Sequence, residues 1–334
     1  MGTFTQLGDR DVAQLASAFS LGEVVAYQPI AAGTINSNFR VETVRATDHP
    51  HADTQSWFLR VNEGKSEDDV AYEAQLVEAF ATGGVPTPAP IRASDGRRYA
   101  SLGTKWVSAF MWRPGTHLAA AEVTPELARK LGAALAQLHI TGLALPTAWR
   151  RASIYDHAHL VGRYHGFRGN PDPALAHAIA VLGEELAEAE RAAPIRAAAT
   201  HGIIHGDLFR DNVLWGEGAS REIVAILDFE QASGGSLPYD LAVCINDWCW
   251  LPGGPSFDLV AGLLDGYRAI RPLPDPDLAA LVIEVRAAAA RFTITRITDV
   301  YLATVTNPEK DFRAFLARSE AWRGPALGQL SSLL

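Results

Sequence analysis

The chain has 334 residues, 48% of them hydrophobic and 20% charged, enough to fill a sizeable core in two domains or one two-lobed unit. Lys and Arg total 29 against 38 Asp and Glu, a formal charge of −9. That balance argues against nucleic acid as the main partner, because backbone-phosphate binding needs a basic surface. It does not exclude a phosphorylated ligand, since one metal-filled pocket holds phosphates inside an acidic protein. The two cysteines, Cys244 and Cys249, form neither a CxxC pair nor a metal-ligand set and are expected as reduced core thiols. The N-terminal MGTFTQLGDRD lacks the basic-then-apolar order of a signal peptide, and no membrane span is evident, which points to the cytoplasm.

Residues 9–20 have amphipathic helical spacing. FRVETV at 39–44 and SWFLRV at 56–61 read as strands joined by a polar loop containing DHPHADT. DDVAYEAQLVEAFATGG then predicts a helix ended by Gly83 and Gly84, and the prolines of VPTPAPI force an extended passage. KWVSAFMW at 105–112 is a further strand, closed by RPG. From there the character changes. TPELARKLGAALAQLH predicts a strong helix with Thr124 as cap, Pro125 in the first turn, and Leu127, Leu131, Ala134 and Leu138 on one face. Helical segments fill 151–200 and most of 255–320, interrupted by a hairpin signal at 213–227 that turns around Gly216 and Gly218. The expected architecture is α+β, with a small β-rich lobe over 1–112 and a larger helical lobe over 113–334.

HGDLFRDNVLW, 205–215, packs two acids, a histidine, an arginine and an asparagine directly before an apolar strand. Polar groups this close to a buried strand need partners. Pairing across the 216–220 turn brings Asn212 and Asp228 to the same end of the hairpin. An amide oxygen and a carboxylate at a strand edge make an oxygen-only site of the kind Mg²⁺ prefers, with phosphate completing the shell. Asp207 is then left to accept a proton from an alcohol, the division of labour that phosphoryl transfer requires.

HGDLFRDNVLW followed by ILDFEQASGGSLPYDLAV resembles the aminoglycoside phosphotransferase and choline kinase group, relatives of the eukaryotic-like protein kinases. The resemblance implies a bilobal protein-kinase-like fold, ATP and Mg²⁺ as cofactors, Asp207 as catalytic base, and Asn212 and Asp228 as metal ligands. It also implies a supporting role for Asp240, as the buried acid that holds the catalytic loop, and for His205 beside it. IAAGTINSNFRV, 30–41, occupies the place of the ATP-covering hairpin but contains only Gly33, so Asn36, Ser37 and Asn38 are expected to turn the chain and offer donors. Where such kinases place a phosphate-gripping lysine, WFLRV offers Arg60, with Lys65 as the alternative. Glu73 shares a helix face with Val70, Val77 and Phe80 and therefore needs a cation, which Arg60 supplies.

A finer resemblance runs through FTQL, LGEVVAYQPIAAGTINSNFRVET, HGDLFRDNVL, YDLAVCINDWCW and RFTITRITD, which look like the bacterial homoserine kinases of the phosphotransferase type. It implies a small amino-acid alcohol as substrate, bearing an ammonium, a carboxylate and a terminal hydroxyl. Asp247 is the expected partner of the ammonium and Arg296 of the carboxylate. Arg291 is a second candidate cation, and Trp248 a candidate pocket wall. Five residues separate the two arginines, so both do not readily share one helical stripe. The alternatives are a kinase of another hydroxylated molecule (an aminoglycoside, choline, a hydroxy amino acid or a sugar) and a silent nucleotide-binding module. No spacing identifies an oligomer interface.

Overall fold

A computed structural model describes residues 5–30, 36–44, 54–218, 221–303 and 310–334. These fall into two compact units, Met1–Pro114 and Gly115–Leu334. The first contains helix α1 (Asp9–Ala18), strands β1 (Glu23–Ile30), β2 (Ser37–Val44) and β3 (Gln55–Asn62), helix α2 (Glu67–Thr82), and strands β4 (Ala100–Leu102) and β5 (Lys105–Met111). The strands make one antiparallel sheet in the order β1-β2-β3-β5-β4. Strand alternation sorts its faces. Phe39, Val41, Leu59 and Val61 join Val12 and Leu15 of α1 in the buried core, while Asn38, Arg60 and Ser108 pair in register on the opposite face. Strand β1 has no alternating apolar pattern and is largely exposed, as suits an edge, and for that reason it was not legible as a strand. Gly33 and most of the DHPHADT loop lie outside the described residues.

Glu63 closes this unit. Its carboxylate accepts hydrogen bonds from Lys105 Nζ (2.6 Å), Ser37 Oγ (2.7 Å) and the Thr5 amide (3.0 Å), and its own amide donates to Asn36 Oδ1 (3.1 Å). Burial alone would raise this acid, but the hydrogen bonds from Lys105, Thr5 and Ser37 prevail and its pKa is pushed down to about 2.

The second unit contains α3 (Pro125–Ala144), α4 (His157–Phe167), α5 (Pro173–Arg191), α6 (Ala193–Ala198), β6 (His201–Ile204), β7 (Val213–Trp215), β8 (Ile223–Ile226), β9 (Ser233–Ser236), α7 (Leu237–Trp248), α8 (Phe257–Ile270), α9 (Asp275–Arg296), α10 (Phe312–Ala321) and α11 (Pro325–Leu333). Thr124 caps α3 as expected, its hydroxyl accepting from the Leu127 amide at 3.3 Å. Two short antiparallel pairs, β6–β9 and β7–β8, supply what the helices do not: fixed ends from which loops project. Both cysteines are free and buried. No helix among the described residues is long and apolar enough to cross a membrane.

Helices α3 and α8 touch backbone to backbone because Gly132, Gly262 and Gly266 remove the side chains between them; a methyl on Gly266 would run into the Arg129 carbonyl. That approach carries a polar consequence, since it brings His139 of α3 to Tyr267 of α8.

Two outcomes follow for stability. Gly266→Ala should destabilise the chain by about 1–3 kcal/mol, the usual cost of overpacking, read as a lowered urea midpoint; an unchanged midpoint would show that the helices separate freely. Glu63→Gln should lower the midpoint at pH 7. Because the folded pKa is depressed, the stabilisation is complete above about pH 4.5 and is lost as pH falls toward about 2, so the gap between wild type and variant should narrow over that range.

Candidate active site

Strand β6 ends at Ile204 and the chain turns at once through His205, Gly206 and Asp207; its partner β9 ends at Ser236 and runs directly into α7. Antiparallel pairing sets Ser236 beside His201, and α7 then doubles back along β6, which brings Asp240, in its first turn, to the 205–206 backbone. Asp240 is wholly buried and accepts from the amides of His205 (2.6 Å) and Gly206 (2.7 Å). A third donor is His139 Nε2, at 3.1 Å. His139 Nδ1 meets the Tyr267 hydroxyl at 2.7 Å, and that oxygen accepts from Arg271, which also pairs with Asp277. Every member of this chain is buried, and each finds a partner.

The His205 ring is fixed by its two neighbours. Its Nδ1 accepts from the Asp207 amide at 3.3 Å, so Nε2 carries the hydrogen and donates to the Leu227 carbonyl at 2.9 Å. The imidazole thus ties the loop before Asp207 to the backbone before Asp228.

Asn212 and Asp228 stand at one end of the β7–β8 hairpin. Val213 pairs with Ile226, and the Leu227 amide donates to the Asn212 carbonyl at 2.9 Å. Asn212 commits its Nδ2 to the Asp207 carbonyl at 2.7 Å, leaving Oδ1 as the atom suited to a hard cation. Asp228 adopts a left-handed backbone, φ +61°, which is costly for a residue with a side chain and concentrates at functional sites. The donor set, one amide oxygen and one carboxylate, fits Mg²⁺.

Asp207 itself is partly exposed, at 26% of its side chain. Arg291 Nη1 lies 3.5 Å from its Oδ1, and the guanidinium is held between Tyr155 (4.1 Å to the ring centre) and Phe292 (3.8 Å). Burial pushes the Asp207 carboxyl above the usual carboxylate range, against the pull of Arg291.

In the first unit Arg60 donates to Glu73 Oε1 at 2.5 Å, and Lys65 reaches Glu73 Oε2 at 3.3 Å. Both candidate cations thus share one buried acid. Burial raises Glu73, but the two cations override it and hold it below the usual range. Asn38 sits opposite Arg60 in the β2–β3 register.

Three expectations need correction. Asn36 and Ser37 are buried and bonded to Glu63, so these side-chain groups fasten the β2 end and do not serve as phosphate donors. Asp247 is not open to an ammonium: its Oδ2 accepts from the Arg210 amide (2.9 Å) and Nε (3.1 Å), and its Oδ1 from Arg210 Nη2 (3.2 Å). Trp248 is wholly buried, donates from Nε1 to the Leu208 carbonyl and packs edge-on against Trp215, so it is core and not pocket wall. Arg296, whose role the structure leaves open, is half-buried on the Phe315 ring and donates to the Asp311 carbonyl.

Sequence reasoning missed His139, Arg210 and Tyr155. A histidine among Leu131, Leu135 and Leu138 on the buried side of a helix is itself a signal, because it needs a polar partner there. Arg210 gave none, since its partner lies 37 residues away.

Comparison with known proteins places the arrangement. The sequence pattern of the phosphotransferase enzyme family matches residues 26–273. A homoserine kinase from Xanthobacter autotrophicus is 33% identical over 305 residues, covering 90% of this chain and 88% of that one. Among solved structures, an amicoumacin kinase superposes with a TM-score of 0.69 at 16% identity, covering 97% of this chain and 94% of the other. A microcompartment-associated aminopropanol kinase does so with 0.66 at 22%, covering 97% and 99%. These two establish the fold, the α+β kinase-like one expected from the sequence. The chain belongs to the phosphotransferase enzyme family, as an enzyme of ATP-dependent phosphoryl transfer to a small hydroxylated molecule.

Proposed function

We propose that the reaction is ATP plus L-homoserine giving ADP plus O-phospho-L-homoserine. The observation that carries this reading is the 33% identity to a homoserine kinase across nine-tenths of both chains, reaching well beyond the catalytic motif. Asp207 takes the substrate hydroxyl: it orients the oxygen in line with the transferred phosphorus and accepts the proton late, as the bond to phosphorus forms. Arg291 holds that carboxylate in place. Asn212 Oδ1 and Asp228 are the ligands for Mg²⁺, which when bound offsets charge on the phosphate oxygens. Arg60, kept in one orientation by Glu73, is the phosphate contact of the first unit, with Asn38 as a neighbouring polar group. Arg296 is the partner of the substrate carboxylate.

The rival alcohols are less well matched. An aminoglycoside or choline carries no carboxylate to pair with the α9 guanidiniums of Arg291 and Arg296.

ADP release by the full chain with MgATP, across L-homoserine, L-threonine, L-serine, choline, a hexose and kanamycin, checks the substrate. L-Homoserine should stimulate most strongly; stimulation by another alcohol alone would overturn that identity while keeping the chemistry. In the same assay Asp207→Asn should lower kcat by roughly 10²–10⁴-fold with the KM for ATP little changed. Near-normal turnover would remove Asp207 from the base role.

A further inference from the structure

Three arginines gather near a single carboxylate in the second unit. Arg210 takes both oxygens of Asp247. Arg296 and Arg318 also feel Asp247, yet neither forms a salt bridge with any carboxylate among the described residues. Both guanidiniums rest on one ring, Arg296 at 4.4 Å and Arg318 at 4.2 Å from the centre of Phe315. Arg318 is 9% exposed, lies over Trp250 at 5.2 Å as well, and donates Nη1 only to the Ala314 carbonyl of its own helix. Its Nε is buried with no hydrogen-bond partner among the described residues. Burial, with the like charges of Arg296 and Arg210, pushes Arg318 down to about 10 against the pull of Asp247, so it stays a cation at neutral pH with no carboxylate bonded to it among the described residues.

A desolvated guanidinium with open donors is complementary to a planar anion, which its fork meets with two parallel hydrogen bonds. The position fits one end of a substrate. Phe209, two residues past Asp207, stacks on Phe315 with ring centres 5.7 Å apart. Arg291, beside Asp207, and Arg296 are five residues apart on α9, about 7.5 Å of helical rise. Phe209 thus links the Asp207 turn to the ring that carries both arginines.

We propose that Arg318 joins Arg296 in binding the substrate carboxylate, with Phe315 as their shared platform and the Arg210–Asp247 pair as the fixed wall beside them. The assignment rests on the amino-acid alcohol reading given above. It makes the carboxylate the group that is selected, and it adds a residue, Arg318, from a helix outside the catalytic motif.

The test is steady-state kinetics of the full chain with MgATP on L-homoserine and on 3-aminopropan-1-ol, which keeps the hydroxyl and ammonium but lacks the carboxylate. Arg318→Gln should raise the KM for L-homoserine roughly 10- to 100-fold, as expected for a lost charged hydrogen bond, with kcat changed far less. The preference for L-homoserine over the amino alcohol, as a ratio of kcat/KM values, should fall by a similar factor. Arg318→Lys, which keeps charge without the fork, should fall between. Arg296→Gln, at a half-buried position, gives the same readout if Arg318→Gln proves unstable. An unchanged preference, or equal losses on both alcohols, would overturn the inference while leaving homoserine as substrate. A wild type that ignores L-homoserine would overturn the substrate reading, and a preferred alcohol without a carboxylate would overturn both.

Discussion

One buried carboxylate carries the geometry of the catalytic loop. Asp240 has no solvent and accepts three N–H groups, two from the backbone before Asp207 and one from His139. A buried carboxyl group in such a place is stable only with its donors in position, so the loop and the acid hold each other. The requirement extends outward. His139 is oriented by Tyr267, Tyr267 by Arg271, and Arg271 by Asp277, and this chain closes only because three glycines let α3 and α8 meet backbone to backbone. The reactive edge is thus supported by packing between helices that have no chemistry of their own.

Around that frame, acids of one chemical type are given different tasks by their surroundings. Asp240 is enclosed and saturated with donors. Asp207 keeps a partly open face and one loosely placed cation, and burial makes it a better proton acceptor than a solvent-exposed aspartate. Asp247 is closed by the Arg210 fork, so it braces the turn between Asp207 and Asn212. Asp228 is set by a left-handed backbone at the hairpin end. His205 links the two ends, accepting from the Asp207 amide and donating to the Leu227 carbonyl.

What the sequence made legible was local. The hairpin register that brings Asn212 to Asp228 follows from two short apolar runs and a glycine turn, and Thr124 and Pro125 announce α3 by capping chemistry alone. Glu73 on an apolar helix face required a cation, and Arg60 is there. The misses are of another kind. SGGS carries no strand signal, yet becomes β9 because β6 supplies its ladder partner and glycine permits the close packing. Asn36 and Ser37 read as loop donors because nothing nearby shows that Glu63, far along the chain, will claim them. Trp248 read as a pocket wall because periodicity cannot separate a wholly buried helix from a lining one. Long-range pairing decided each of these cases.

The measurement that tests the central dependence is hydrogen exchange at the His205 and Gly206 amides, with kcat, in Asp240→Asn. Asparagine matches the shape but replaces one acceptor oxygen with a donor, so at least one of the three N–H groups loses its partner. Exchange at these amides should quicken by roughly 30- to 100-fold, corresponding to about 2–3 kcal/mol of lost local stability, and kcat should fall with it. Unchanged protection together with wild-type turnover would show that the loop holds its shape without Asp240.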